Sequence, residues 1–344
     1  MILVTGGTGF VGAHLLYHLL QSGKSSVRSL KRTGSSTEFA KKIFSCYSKS
    51  PDQLFNKIEW VDGDILDYYS LSDAFAGVDY LYHAAAVVSF HPEDKNKVIR
   101  TNIEGTANVV NAALEQKVKK MGYISSIGVL GRAGNQGLTD EETYWKTSSK
   151  NSLYSKSKYE AEREVWRGIA EGLDAVIVNP SIIVGPGNWN TGSPQIFQTM
   201  WKGLKFYTGG MNGFVDVNDV AHAMIMLTEG DFSGERYIIN AENIRYKQFF
   251  EWMAAAMNLP APKYKAGPLM SSAGWRLLKA MTLFTGKRSS ITQESVRTAN
   301  QVYRYSNQKF TEATGMKFMP VKESVEKTAG LFLKDYHPSL TRSS

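Results

Sequence analysis

The sequence predicts an α/β fold, a doubly wound parallel sheet with a smaller C-terminal domain, and three observations carry that prediction. Residues 1–5 read as a short, fully buried strand that leads through a glycine-rich turn into an apolar helix face at 14–20. Strand-like apolar runs recur at 27–30, 58–61, 78–82 and 121–126, and residues 154–167 read as a helix. The chain has 344 residues, 42% of them hydrophobic, enough for one large α/β domain, a smaller companion and a well-buried core. The larger domain is expected at 1–180 plus about 212–240, and the smaller one at about 181–211 plus 241–344.

Gly6, Gly7, Thr8, Gly9, Phe10, Val11 and Gly12 stand between the first strand and its helix. Gly6 makes the tight turn, Gly9 lets the backbone approach a pyrophosphate, and Gly12 lets the helix pack closely on the strand, with helix-terminal amides facing the anion. A lone glycine pattern is no more than a turn; the strand before it and the helix after it make it a dinucleotide site. The strand at 27–30 ends over the adenosine ribose, where an acid would grip the 2′-hydroxyl of NAD. Lys31 and Arg32 stand there instead. Two cations suit the 2′-phosphate of NADP, so NADP(H) is expected over NAD(H), the plain alternative being two solvated surface cations. The strand at 58–61 leads to Asp64 and Ile65, placed to hold an adenine ring, and the strand at 78–82 leads to His83, Ala84, Ala85 and Ala86, whose small side chains let the backbone approach the cofactor. His83 has no acidic partner nearby in sequence and reads as a packed or cofactor-adjacent histidine rather than a proton-transfer group.

Tyr154 and Lys158 are four residues apart on a predicted helix and so share one face. A tyrosine titrates near ~10, a poor acid or base at neutral pH; a neighbouring ammonium lowers that value and lets the pair exchange a proton with a substrate oxygen. Chance also produces this spacing, and its position after a dinucleotide fold is what gives it weight. The strand at 121–126 ends in Ser125 and Ser126 at the carboxyl edge of the sheet, where a hydroxyl can hold the substrate oxygen, although a strand-ending turn is the bland reading. No Ser, His and acid triad stands in a nucleophile-elbow context, so covalent hydrolase chemistry has no support.

Composition narrows the classes further. Forty Lys and Arg against 32 Asp and Glu give +8, which favours anionic ligands or merely a solvated basic surface. No basic run is interleaved with aromatics, so nucleic acid is not an expected partner. Cys46 is the single cysteine and has no Cys or His cluster around it, which supports neither a disulfide nor a metal site and fits a reducing cytoplasm. Residue 1 leads straight into a strand pattern, and no apolar run reaches the roughly 18 residues of a membrane span, so neither export nor an integral membrane segment is expected.

In their order the segments 5–12, 63–67, 83–86, 102–106, 125–126, 154–158, 183–187 and 214–221 resemble the extended short-chain dehydrogenase/reductase family, of the NAD-dependent epimerase/dehydratase type. The resemblance covers about two-thirds of the chain and implies a Rossmann-type sheet, an NAD(P)-dependent oxidoreductase acting on an alcohol or carbonyl, and a homodimer formed through helices beside the tyrosine. It also implies roles: Tyr154 as proton donor or acceptor, Lys158 orienting the nicotinamide ribose and tuning the tyrosine, Ser126 bonding the reacting oxygen, Asn102 in a more structural part, and Pro180, Ser181 and Ile182 beside the nicotinamide. The stretch 189–210 would help form the substrate side.

Departures from the family pattern favour its dihydroflavonol reductase and 3β-hydroxysteroid dehydrogenase branch. Ile127 and Gly128 follow Ser126 where nucleotide-sugar dehydratases carry an acidic pair. Asn179 and Ile182 occupy the places where epimerases show an arginine and an asparagine, and Lys31 with Arg32 replaces the acid that retained NAD needs. Gly131, Arg132 and Ala133 stand where plant dihydroflavonol reductases place a substrate-reading asparagine, so a flavonoid is not implied. The expected reaction is hydride transfer to or from a small to medium, mainly apolar substrate. An NAD-dependent nucleotide-sugar epimerase or dehydrogenase and a non-catalytic NADP sensor are the alternatives. After residue 230 the motifs fade, leaving helical patterns at 246–257, 272–284 and 286–318; Trp275, Leu278, Met281, Leu283 and Phe284 would pack on the larger domain, line a cleft or touch a membrane, beside Arg276, Lys279, Lys287 and Arg288.

Overall fold

The computed structural model describes residues 1–24, 26–133, 137–148, 151–267 and 298–336. Its centre is a seven-stranded sheet, every neighbouring pair of which is parallel. In chain order the elements of its first half are β1 (Ile2–Thr5), α1 (Phe10–Gln21), β2 (Val27–Lys31), α2 (Glu38–Tyr47), α3 (Pro51–Phe55), β3 (Ile58–Asp62), α4 (Tyr68–Phe75) and β4 (Tyr80–His83). There follow α5 (Lys95–Ile99), a π-helical turn (Arg100–Glu104), α6 (Gly105–Glu115), β5 (Lys120–Ile124), α7 (Leu153–Ala170) and β6 (Ala175–Pro180). Next come β7 (Ile182–Val184), α8 (Gln195–Trp201), β8 (Phe206–Tyr207), β9 (Met211–Asp216), α9 (Val217–Glu229), β10 (Glu235–Ile239), β11 (Glu242–Arg245), α10 (Tyr246–Ala256) and β12 (Tyr264–Lys265). Helices Gln308–Thr314 and Val321–Tyr336 complete the described chain.

The strands of the large sheet lie in the order β10-β6-β5-β4-β1-β2-β3. Both faces are covered, so β1, β5 and β6 are buried along their whole length, as a parallel sheet requires. Alternate residues feed opposite cores: Ile2, Val4, Val176 and Val178 join the core under α1, α2 and α9, whereas Leu3, Ala175 and Ile177 join the one under α4, α6 and α7. Registers Thr5↔His83, His83↔Tyr123 and Ile124↔Val178 bring the carboxyl ends of β1, β4, β5 and β6 to one edge. The order reverses between β1 and β4, the switch point at which such sheets open a ligand crevice.

After Pro180 the chain leaves this sheet. β7 pairs in parallel with β9 and β9 antiparallel with β11, forming a three-stranded sheet, while β8 and β12 pair as a separate two-stranded one. A third core lies under the three strands, where Phe214 stacks on Phe249 with ring centroids 4.3 Å apart and Trp189 meets Phe332 edge-on at 5.1 Å. Helix Val321–Tyr336 closes this core through Val321, Val325, Ala329 and Phe332, a helical spacing that the fading motifs left unread. The helical pattern expected at 246–257 is α10, and the later part of 286–318 contains helix Gln308–Thr314. The pattern at 272–284, with Trp275, Arg276, Leu278, Lys279, Met281, Leu283 and Phe284, and also Lys287 and Arg288, lies outside the described residues. Among the described residues no helix is long and apolar enough to cross a membrane.

Candidate active site

The glycine turn is built by contact as much as by flexibility. Gly6 has φ +78, and a Cβ on it would lie 2.6 Å from the Ala85 nitrogen, so the turn sits directly on the Ala84–Ala86 backbone that follows β4. A Cβ on Gly12 would lie 2.1 Å from the Gly6 carbonyl oxygen, which is how closely α1 approaches the strand end. Gly9 caps α1 without a side chain to accept its first amides, leaving those donors turned out beside Thr8, Phe10 and Val11. The Phe10 ring borders Gly187, bringing the turn after β7 against the start of α1.

Lys31 and Arg32, paired in the sequence reading, part company in the structure. Lys31 is the last residue of β2, and its ammonium pairs with Asp62 at the end of β3. Arg32 is exposed, meets no carboxylate among the described residues, and lines a cavity of about 540 Å³ with Thr33, Gly34, Ser35 and Asp64. The acids of that cavity are engaged elsewhere: Asp64 accepts the Leu66 amide at 3.0 Å and Asp67 accepts the Tyr69 amide at 3.1 Å. Ile65 is buried against Gly105. Thr33 and Ser35, which the sequence reading did not single out, line this cavity on either side of Gly34.

On the other side of the switch point, Ser152 caps α7 by accepting the Ser155 amide at 2.6 Å and so starts the helix one turn before Lys158. Tyr154 faces Phe90 edge-on at 5.6 Å, with the Ser126 hydroxyl beside its phenol. Burial pushes the phenol up to about 12, and Ser126 opposes the shift. The lowering of Tyr154 by Lys158, expected from their spacing, is absent from this arrangement. The Lys158 ammonium turns instead to β5, where it donates to the Tyr123 hydroxyl and to the Ile124 carbonyl, both at 2.7 Å. It lies 4.3 Å from the centre of the Tyr123 ring. Burial brings Lys158 down to about 7, and buried Glu162, one turn along α7, opposes that fall.

His83 is fully buried, stacked on Tyr123 at 5.4 Å, with Nδ1 2.6 Å from Thr5 Oγ1 and Nε2 3.1 Å from Thr106 Oγ1. Burial, with Lys158 adding to it, holds the imidazole down to about 3 and so neutral. Among the described residues its side-chain partners are the Thr5 and Thr106 hydroxyls and no acid. Asn102, on the π-helical turn, receives the Val87 amide at 2.7 Å and donates to the Val87 carbonyl at 3.0 Å and Ser157 Oγ at 2.9 Å. Its amide is spent on fixing the chain after Ala86 to α7. Asn179 likewise donates to the Ser126 carbonyl at 3.1 Å and to Glu162 at 2.9 Å, tying β6 to the Ser126 turn and to α7. Tyr123, Thr106 and Glu162 were not singled out in the sequence, because nothing local marks a strand tyrosine as the partner of a lysine 35 residues away.

Ser125 and Ser181 are 3% and 5% exposed, and the hydroxyl of each lacks a partner among the described residues. They flank the carboxyl ends of β5 and β6, with Pro180 closing β6 and Ile182 opening β7. Orphaned buried hydroxyls are costly unless something completes them. Together with the glycine turn that rejects any Cβ, they fit a dinucleotide lying across the switch point, its diphosphate at the turn and its nicotinamide end between β5 and β6.

Comparison with known proteins shows the family and the fold. The model of the NAD dependent epimerase/dehydratase family matches residues 2–240. A Synechocystis protein carrying the name dihydroflavonol 4-reductase is 31% identical over 94% of this chain and 91% of its own length. A 3-beta-hydroxysteroid dehydrogenase of Mycolicibacterium neoaurum is 30% identical over 80% of this chain and 76% of its own length. The crystal structure of gox2253 superposes with a TM-score of 0.79 at 29% identity and covers 98% of both chains.

Proposed function

The chain belongs to the NAD dependent epimerase/dehydratase family and is an NAD(P)-dependent oxidoreductase, and on that premise we propose that it is an NADPH-dependent carbonyl reductase with Tyr154 as its proton donor. The observation that carries this reading is the Ser126–Tyr154 pair at the carboxyl edge of the sheet, with Lys158 one turn along the same helix.

A nicotinamide cofactor bound at the switch point would supply the hydride. The chain's own residues do the rest. Ser126 and Tyr154 converge on the carbonyl oxygen, where two preorganised donors lower the energy of developing negative charge. Tyr154, whose phenol is protonated at neutral pH, gives that proton to the oxygen as the hydride reaches the carbonyl carbon. Lys158 spends two of its three donors on Tyr123 and Ile124, leaving the third for a ribose hydroxyl at the cleft. Ser125 and Ser181 would complete their hydrogen bonds on the nicotinamide end. Arg32, with the Thr33 and Ser35 hydroxyls, would hold the 2′-phosphate. The substrate would be held by the smaller domain built on β7, β9, β11 and α10.

The test is a titration of purified protein with NADPH and with NADH, followed by cofactor fluorescence, on wild type and Arg32→Ala, together with a screen of carbonyl substrates. The expected result is an NADPH preference that falls at least tenfold in the variant, since a charge-assisted bond to phosphate is lost. Equal affinities, or bound NAD that never exchanges, would overturn the NADPH assignment in favour of nucleotide-sugar chemistry.

A further inference from the structure

Beside the catalytic serine lies a second cavity, of about 310 Å³, between the short 3-10 turn Ile127–Val129 and the start of α7. Gly128 is part of its lining, and a Cβ there would lie 3.3 Å from Ser126 Oγ and 2.9 Å from Ser155 Oγ. The cavity therefore begins two residues from the hydroxyl beside Tyr154.

Two cations from different segments, Arg132 and Lys146, line it, and no acidic residue does. Neither pairs with a carboxylate among the described residues, whereas Arg28, Lys31, Arg167 and Arg236 do. Arg132 is held in place by Tyr303, whose ring centre is 5.1 Å from the guanidinium carbon, an arrangement that fixes the charge without spending its donors. Trp145 forms a rigid wall, stacked on Tyr159 at 4.6 Å and 11°. Ser155 and Asn151 add a hydroxyl and an amide to the rim. Two like charges around one cavity repel each other, and a bound anion removes that repulsion.

We propose that this cavity receives an oxyanion group, carboxylate or phosphate, carried by the same substrate whose carbonyl is held at Ser126 and Tyr154. The proposal rests on the reductase reading and revises the sequence expectation of a mainly apolar substrate: the reacting end meets Phe90 and the serine edge, and an acidic tail reaches Arg132 and Lys146.

The test compares oxo-carboxylates over a series of chain lengths with their methyl esters, in wild type and in the Arg132→Gln/Lys146→Gln double variant, reading the acid-to-ester ratio of kcat/KM. The wild-type ratio is expected to reach about tenfold at the best length, to fall as salt is added, and to drop near one in the double variant. A ratio near one in wild type, with both compounds turned over, or one that the double variant leaves unchanged, overturns the proposal. If no carbonyl is turned over, the reductase reading has failed and calorimetry with the matching saturated carboxylate decides the cavity alone. Binding that weakens at least tenfold in the double variant upholds it, and no binding refutes it. Phosphate monoesters run in parallel show which oxyanion is preferred.

Discussion

The two ends of the same sheet edge are held by different means. At the nucleotide end, beside β1 and β2, shape comes from the backbone: Gly6 and Gly12 are in contact with main-chain atoms that leave no room for a Cβ. At the other end, beside β5 and β6, where the proposed catalytic residues lie, shape comes from buried side chains drawn from six elements, with Lys158 on Tyr123, His83 on Thr5 and Thr106, and Asn179 on Glu162. A site made by backbone is specified by residues adjacent in sequence; one made by converging side chains is specified by the fold. The first should fail through stability and binding together, the second through chemistry with binding intact.

The largest expected effect is at the catalytic end. Tyr154→Phe removes the proposed proton donor while leaving a ring of the same shape against Phe90. Turnover should fall about 10³-fold, with NADPH affinity within about threefold of wild type, measured by steady-state kinetics and cofactor fluorescence. Retained turnover would remove Tyr154 from the mechanism.

Gly6→Val tests the other end. A side chain at φ +78, with backbone 2.6 Å away, should cost about 3 kcal/mol and lose NADPH binding as well, seen as a lower melting temperature and an absent fluorescence change. Stable protein that still binds would show that the turn tolerates what its geometry forbids.

This contrast also explains what was legible in the sequence. Gly6, Gly9 and Gly12 were readable because their spacing is the geometry, and Tyr154 and Lys158 because one helix carries both. The strand ends moved by a residue or two: β4 ends at His83 rather than 82, and β2 takes in Lys31. That last shift matters, since it points Lys31 along the sheet to Asp62. Tyr123, Thr106 and Glu162 could not be read, because their roles depend on strand register and helix packing. Nor could the rise of the Tyr154 phenol, which follows from burial that the spacing of Tyr154 and Lys158 does not report.

Tyr123→Phe probes those unread contacts. The variant keeps the ring that stacks on His83 but removes the acceptor 2.7 Å from the Lys158 ammonium. With burial already bringing Lys158 down to about 7, losing a partner of its charged form lowers it further. If the protonated lysine is the active form, kcat/KM falls as pH rises through about 7 in wild type, and that limb moves to lower pH by about one unit in the variant. A parallel drop at every pH would mean that Tyr123 only packs.

The smallest effect sharpens the comparison within the nucleotide end itself. Lys31 and Arg32 are neighbours with the same charge, yet the Lys31 ammonium is already paired with Asp62, while Arg32 opens onto the cavity with Thr33 and Ser35. Removing Lys31 releases an acid as well as removing a cation, and an exposed pair of this kind is worth little, about 1 kcal/mol at most. Lys31→Ala should therefore change NADPH affinity by less than about threefold, against the tenfold or greater loss expected for Arg32→Ala. If instead the two variants lose equally, the 2′-phosphate is read by a field of positive charge rather than by a fitted guanidinium.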